Sequence, residues 1–168
     1  PIAETSLTIK GIRVVVDSGL VNQPEFSPGR GMTRLETRPV SKASADQRRG
    51  RAGRTAPGIC YRLWPQYVHQ GLVPFNRPEI LNADLAHLVL ELSLWGVRDP
   101  SELKWLDTPS PGPVAAAKDL LVSLDALDHG GAITAHGREM LVAGIHPRLA
   151  HMILRAKEMG HGFLGCCL

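Results

Sequence analysis

The sequence predicts a mixed α/β fold in which an α/β part with a β-hairpin precedes a helical part. Residues 12–16 are an apolar run that ends in polar residues at 17–19, as buried strands of a parallel sheet do. Two extended stretches flank a turn-rich segment at 27–31, which predicts the hairpin. Beyond residue 78, leucines recur at spacings of three and four, which predicts amphipathic helices.

Composition excludes several classes of protein. With 43% hydrophobic and 21% charged residues in 168, the chain has the make-up of a soluble globular protein. No apolar run is long enough to cross a bilayer. Cys60, Cys166 and Cys167 are too few and too poorly spaced for a disulfide framework or a zinc site. We therefore expect no metal site in this chain and a reduced, cytoplasmic setting. Because the sequence begins at Pro1 without Met, we also expect a piece of a longer protein.

Positive charge is concentrated in the first part of the chain. Residues 1–66 hold 11 Lys and Arg against 5 Asp and Glu, a net charge of +6, whereas residues 67–168 carry a net charge of −3. A phosphate-bearing partner is the natural expectation for the N-terminal part.

The densest cluster of charge is the octamer Gln47–Arg54, which contains four arginines. On a helix, Gln47, Arg51 and Arg54 would stand at i, i+4 and i+7 and share one face. Guanidinium groups in such a row are donors matched to phosphate oxygens. Its two glycines each lower helix propensity by about 1 kcal/mol relative to Ala, which suggests a close approach to the backbone. The alternative is a plain basic surface helix.

Gln47 has a second interpretation. Ser44 followed by Gln47 three residues later is a capping-box pattern, so Gln47 would then close the start of the helix. Both uses remain open at this stage.

The remaining elements follow from periodicity and turn residues. A composition break at 65–78 predicts a domain boundary. The order of helix, helix, small β element and helix after it suits a winged-helix-like module, with a plain helical bundle as the alternative. Predicted strands cover 20–26, 32–38 and 59–64, and predicted helices cover 81–95 with a buried stripe of Leu81, Leu85, Leu88, Leu92 and Trp95, then 114–127, 135–142 capped by Thr134, and 147–159.

Two motifs resemble those of a known family. The octamer Gln47–Arg54 resembles motif VI of superfamily 2 helicases in its DEAH-box form, Q-R-x-G-R-x-G-R, and Ile2–Ile9 resembles motif V. The C-terminal part resembles the bacterial HrpB-type branch of that family. This resemblance implies the C-terminal part of a second RecA-like lobe at 1–66, a winged-helix-like domain at 67–144 and the truncated start of a helical ratchet-like domain at 145–168.

The resemblance also implies roles in ATP hydrolysis. Arg51 and Arg54 would be arginine fingers for the γ-phosphate, and Gln47 would hold that phosphate or the attacking water. Ser6 and Thr8 would sense the nucleotide state. The cofactor is ATP with Mg²⁺, and the metal ligands lie outside this chain.

Further implied residues would contact nucleic acid. They are Thr5 at the start of motif V and Arg30 and Arg34 in the hairpin. The implied partners are single-stranded RNA or DNA and the first RecA-like lobe of the same protein, with no membrane. Arg48, on another helix face, would join motif VI to the other lobe or to a carboxylate of motif V.

Some family features are missing from the sequence. It contains neither a G-x-x-x-x-G-K-[ST] loop nor an Asp-Glu-x-His box, so the parent protein is expected to be an ATPase but this chain alone is not. Pro1 stands where Asn is usual, and Lys10 where an acidic residue is common. The alternative is a non-enzymatic basic module that binds nucleic acid or serves as a scaffold.

Overall fold

A computed structural model describes residues 11–27 and 31–167 of the chain. It is a mixed α/β protein with two small sheets and several helices, as the sequence predicts. The chain divides into two compact units, one of Pro1–Glu25 and Thr33–Pro78 and the other of Phe26–Met32 and Glu79–Leu168.

The first unit contains a parallel pair of strands. Strand β1 (Val14–Asp17) pairs in register with β4 (Ile59–Arg62), so that Val14 faces Ile59 and Asp17 faces Arg62. Such a pair needs a crossover connection, and here the connection includes helix α1 (Lys42–Arg49). Helix α2 (Gln66–Gly71) follows β4.

A second sheet consists of β2 (Leu20–Ser27) and β3 (Met32–Pro39). Because the short connection at 28–31 can join only antiparallel strands, the two form a β-hairpin. Thr37 donates its hydroxyl to Asn22 Oδ1 across the pair at 2.8 Å. The predicted hairpin is therefore present, with its strands one residue longer than expected at their C-terminal ends.

The second unit is helical. It contains α3 (Ala86–Leu94), α4 (Pro111–Ser123), α5 (Ala135–Val142), α6 (Pro147–Glu158) and α7 (Gly162–Cys167). An isolated antiparallel bridge joins Leu127 to Ile133 before α5. The core of this unit consists of the buried residues Leu85, Ala86, Val89, Leu90, Ala117, Leu121, Ala126, Leu127, Met140 and Ala150.

The predicted first long helix is wrong at both ends. Leu81 belongs to a separate 3₁₀ turn, Glu79–Leu81, and Asp84 accepts a hydrogen bond from the amide of Ala86 at 2.9 Å, which sets a new start at α3. The helix ends at Leu94, and Trp95 is 71% exposed instead of buried. Gly96, at φ +84, turns the chain there. The buried stripe of the helix therefore ends at Leu92.

Among the described residues, no helix is both long and apolar enough to span a membrane. In the same part of the chain, no group of three or more His, Cys, Asp or Glu side chains is arranged to hold a metal ion.

Candidate nucleotide and nucleic-acid site

Helix α1 begins earlier than the sequence suggested. Ser41 is the N-cap, and its Oγ accepts a hydrogen bond from the amide of Ser44 at 3.2 Å. Backbone contacts fix this start, because the amides of Lys42 and Ala43 donate to the carbonyls of Val73 and Pro74. The predicted capping box of Ser44 and Gln47 is therefore wrong, and Gln47 lies in the last turn, where it cannot close the helix start.

Helix α1 also ends earlier than expected, at Arg49. The amide of Gly50 still donates to a carbonyl four residues back, but the next two amides donate only three residues back, to Arg48 at 3.1 Å and Arg49 at 3.2 Å. This tightening into 3₁₀-type turns is common where glycine lowers helix propensity. The expected common helical face of Gln47, Arg51 and Arg54 is therefore wrong, because the two arginines lie beyond the helix.

Arg48 anchors the last turn of α1. Its side chain is 10% exposed and lies 2.9 Å from Oδ1 of Asp17, whose side chain is 1% exposed. The same Nη1 atom donates to the carbonyl of Leu20 at 3.0 Å, and Asp17 Oδ1 also accepts from the amide of Gly19 at 3.0 Å. Asp17 is the last residue of β1 and is not part of motif V, so Arg48 joins α1 to the end of a parallel strand.

The chain that follows α1 is also held tightly. Ala52 is only 2% exposed. A Cβ atom placed on Gly58 would lie 2.2 Å from the carbonyl oxygen of Ala52 and 2.8 Å from that of Arg13. The amide of Ile59 donates to the same Arg13 carbonyl at 2.9 Å. The glycine at 58 thus permits a backbone approach that any side chain would prevent.

The predicted finger residues and Gln47 follow one another around the end of α1. Gln47 is exposed in its last turn, Arg51 is half-buried in the following turn, and Arg54 is exposed. Guanidinium groups are planar cations with several donors, so this set of side chains fits a phosphate group. The predicted site residues that lie outside the described part of the chain are Thr5, Ser6, Thr8 and Arg30.

Arg34, the other predicted nucleic-acid contact, lies on β3 in an ionic cluster. It forms an ion pair with Glu36, and Arg38 pairs with Glu25 and, at 3.0 Å, with Glu36. The hydrogen bond from Arg38, followed by those involving Glu25 and Arg34, lowers the pKa of Glu36 to about 2. Arg34 remains 59% exposed, so it faces solvent while sharing its charge with a carboxylate.

Sequence analysis missed a second polar cluster, around Arg62 at the end of β4. Arg62 Nη2 donates to Asp46 Oδ1 at 2.7 Å, and this contact is the main reason that the pKa of Asp46 is lowered. Its guanidinium lies 5.7 Å from the ring centre of Trp64, which in turn contacts His69. The separation of 16 residues between Asp46 and Arg62 hides their contact from helical and strand periodicity.

Comparison with known proteins shows which class of protein this chain resembles. No family model matches the chain. Over nearly its whole length, however, the chain is similar to DEAH-box helicases, and the resemblance inferred from motifs V and VI is confirmed.

The particular relatives are two ATP-dependent RNA helicases. The chain is 47% identical over 157 residues to HrpB of Escherichia coli, and 42% identical over 160 residues to the pre-mRNA-splicing factor prp22 of Schizosaccharomyces pombe. These matches cover 94% and 95% of the chain. A crystal structure of the E. coli DEAH/RHA helicase HrpB superposes with a TM-score of 0.88 over 96% of the chain, at 45% identity.

The chain spans only a small part of these relatives. It covers 19% of E. coli HrpB, 14% of prp22 and 20% of the HrpB chain in that crystal structure. A second crystal structure, of the E. coli DExH-box NTPase HrpB, gives a TM-score of 0.82 over 93% of this chain and 19% of its own. The similarity therefore concerns one segment of a much larger helicase.

Proposed function

We propose that this chain is a segment of an ATP-dependent RNA helicase and supplies it with arginine fingers and nucleic-acid contacts. The observation that carries this proposal is the arginine-rich turn at Arg51–Arg54, anchored directly behind α1, in a chain 42–47% identical to named RNA helicases over almost its whole length. Because both named relatives are RNA helicases, we favour RNA over DNA as the nucleic acid. A single strand as the bound form is a further part of the proposal.

Arg51 and Arg54 would bind the γ-phosphate of ATP, and Gln47 would hold that phosphate or the attacking water. ATP supplies the phosphoryl group whose transfer to water releases energy for the motor. In such transfers the protein mainly positions the nucleotide and neutralises charge that develops in the transition state. Arginines do so without gaining or losing a proton. Ser6 and Thr8 would report the nucleotide state, and Mg²⁺ would be held by residues outside this chain.

Contacts to nucleic acid would come from the first part of the chain. Thr5, Arg30 and Arg34 are the proposed residues, and the net charge of +6 over residues 1–66 supports a phosphate-backbone partner. The first RecA-like lobe of the same protein would complete the nucleotide cleft. A cytoplasmic location is part of the same proposal.

We propose the domain assignments on the same basis. Residues 1–66 would complete a second RecA-like lobe, 67–144 a winged-helix-like domain, and 145–168 the start of a ratchet-like domain. The order of α3, α4, the bridge from Leu127 to Ile133 and α5 supports the winged-helix-like assignment. The change of compact unit lies at Pro78–Glu79, and residues beyond 144 share a unit with α3 to α5.

The proposal is tested by finger substitutions in the full-length helicase. We expect Arg51→Ala and Arg54→Ala each to lower nucleic-acid-stimulated ATP hydrolysis by about 10³–10⁵, the loss typical of arginine fingers, with little change in RNA affinity. Lysine at either position should restore little, because it lacks a planar pair of donors. Steady-state ATPase assays at saturating RNA and equilibrium binding of the same strand provide the measurements.

Arg49→Ala is the matched control. Arg49 is exposed and lies 3.5 Å from Asp46 on the surface of α1, and such exposed pairs contribute little. Its loss should leave turnover nearly unchanged. Equal damage from Arg49→Ala and Arg54→Ala would refute the finger assignment, and absence of ATP hydrolysis by the wild type would favour a non-enzymatic nucleic-acid-binding or scaffold module instead.

A further inference from the structure

The ion pair between Asp17 and Arg48 is the most deeply buried charge contact among the described residues of the first unit. Both side chains are at least nine-tenths buried. Oδ1 of Asp17 accepts hydrogen bonds from both the Arg48 guanidinium and the amide of Gly19. Burying two charges costs solvation that their attraction often only offsets. A buried pair is therefore weak evidence of added stability, and its value lies in fixing one geometry.

That geometry concerns the place where the chain leaves α1. Arg48 is two residues before Gly50, the C-cap residue at which α1 ends. The amide of Arg51 donates to the carbonyl of Arg48 at 3.1 Å. The residue that holds Asp17 through its side chain thus holds Arg51 through its backbone.

A second contact fixes the far side of the same turn. Ala52 is buried, and its carbonyl lies against Gly58 beside the start of β1. Arg51 is therefore placed between two anchors, both of which connect to β1. Release of the Arg48 anchor would leave the Gly50 turn held from one side only.

We propose that Asp17 is a positioning residue for ATP hydrolysis, acting through Arg48 to fix where Arg51 leaves α1. This inference rests on the proposed function, because it assumes that Arg51 meets the γ-phosphate. A finger displaced by about 1 Å can lose on the order of 10²-fold in rate. Asp17 itself touches neither nucleotide nor water in this role.

The experiment compares four proteins in the full-length helicase: the wild type, Asp17→Asn, Arg48→Gln and the double variant. We expect each single variant to lower kcat by about 10- to 100-fold, with the KM for ATP and the affinity for RNA within about threefold of wild type. Each single variant also leaves one charge buried without its partner, so its melting temperature should fall. The double variant removes both charges and should recover the melting temperature but not kcat.

Asp46→Asn is the matched control, because it removes a carboxylate that lies on α1 itself. The ion pairs of Asp46 with Arg62 and Arg49 are more exposed than the pair of Asp17 with Arg48. It should keep kcat within about twofold, as expected for a surface pair. A normal kcat in Asp17→Asn would overturn the inference while leaving the proposed function intact. Recovery of kcat together with melting temperature in the double variant would also overturn it, because the pair would then be structural only. If the wild type hydrolyses no ATP, the proposed function fails and the inference fails with it.

Discussion

At the scale of single residues, arginines that are close in sequence have different surroundings. Arg48 is buried against Asp17, Arg49 lies on the surface near Asp46, and Arg54 is exposed beyond the helix. A count of charges treats these side chains alike. Only the packing of α1 against β1 distinguishes the buried arginine from the exposed ones.

The hairpin shows the same distinction, and it yields a prediction. Glu36 neutralises part of the charge of Arg34 and Arg38, so Glu36→Gln should strengthen the binding of single-stranded RNA by the 168-residue chain at low salt. The gain should shrink as salt rises, because backbone contacts to nucleic acid are screened. Fluorescence anisotropy of a labelled RNA strand across a salt series measures both effects.

Glu139→Gln is the control for that prediction. Glu139 is exposed on α5 in the second unit, and its substitution changes the net charge by the same amount. A specific role for the hairpin requires the Glu36 variant to bind more tightly than the Glu139 variant. Equal gains would mean that net charge alone sets the affinity and that Arg34 makes no special contact.

At the scale of elements, the sequence predicted helices best where a local cap defines them. Thr134 caps α5, accepting a hydrogen bond from the amide of Gly137 at 3.0 Å, and the predicted bounds of that helix are the observed ones. Where two serines compete, as Ser41 and Ser44 do before α1, only the tertiary contacts at Val73 and Pro74 decide the start. Periodicity also began the first predicted helix five residues too early, at Leu81, and ended it one residue too late, at Trp95.

Three helices meet at a pair of histidines that no local pattern indicates. Nε2 of His136 on α5 lies 3.0 Å from Nδ1 of His151 on α6, and that Nδ1 atom lies 3.0 Å from the carbonyl of Leu124 after α4. Because the carbonyl can only accept, His151 donates its Nδ1 hydrogen there and His136 Nε2 must be an acceptor. A proton on His136 Nε2 would bring two N–H groups face to face.

This pair predicts a pH dependence of stability. Burial, followed by the charge of His151 and Arg155, lowers the pKa of His136 below its ordinary 6.5, against the opposing effect of Glu158 and Asp125. The unfolded chain therefore takes up this proton at a higher pH than the folded chain. The contribution of neutral His136 to the free energy of unfolding is therefore complete above pH 6.5. It falls as the pH drops through 6.5 toward the lowered pKa of the folded chain.

Urea unfolding of the chain at pH 8 and at pH 5.5, followed by circular dichroism, measures that loss. His136→Gln should show a smaller loss of midpoint between the two pH values than the wild type. His161→Gln, which replaces an exposed histidine just before α7, should lose as much as the wild type. An unchanged pH dependence in His136→Gln would rule out this histidine as its source.

At the scale of the whole molecule, one face of the parallel strand pair carries exposed apolar side chains. Val14 and Val16 on β1 and Ile59 and Tyr61 on β4 are each more than half exposed, and the strand register places them on one face. Parallel sheets are normally covered on both faces. The sequence predicted β1 as a buried strand from its apolar run at 12–16, but Val14 and Val16 are exposed on this face. An apolar run shows that a strand is suited to burial, but it does not show which residues cover it.

The last prediction concerns the 168-residue chain by itself. We expect it to bind single-stranded RNA weakly, with an affinity that falls steeply as salt rises, and to hydrolyse no ATP. The binding follows from the +6 charge of residues 1–66, because release of counterions from the nucleic-acid backbone drives such association.

The lack of hydrolysis follows from the absence of a G-x-x-x-x-G-K-[ST] loop in the sequence, since fingers accelerate phosphoryl transfer only at a nucleotide that other groups have already bound. Anisotropy titrations between low and moderate salt and a phosphate-release assay with RNA present are the measurements. The variant Arg51→Ala is the control for the second, because any genuine turnover by the chain should fall with it while turnover from a contaminant should not. Salt-independent tight binding, or RNA-stimulated ATP turnover that Arg51→Ala abolishes, would show that the chain is more than a contributing segment.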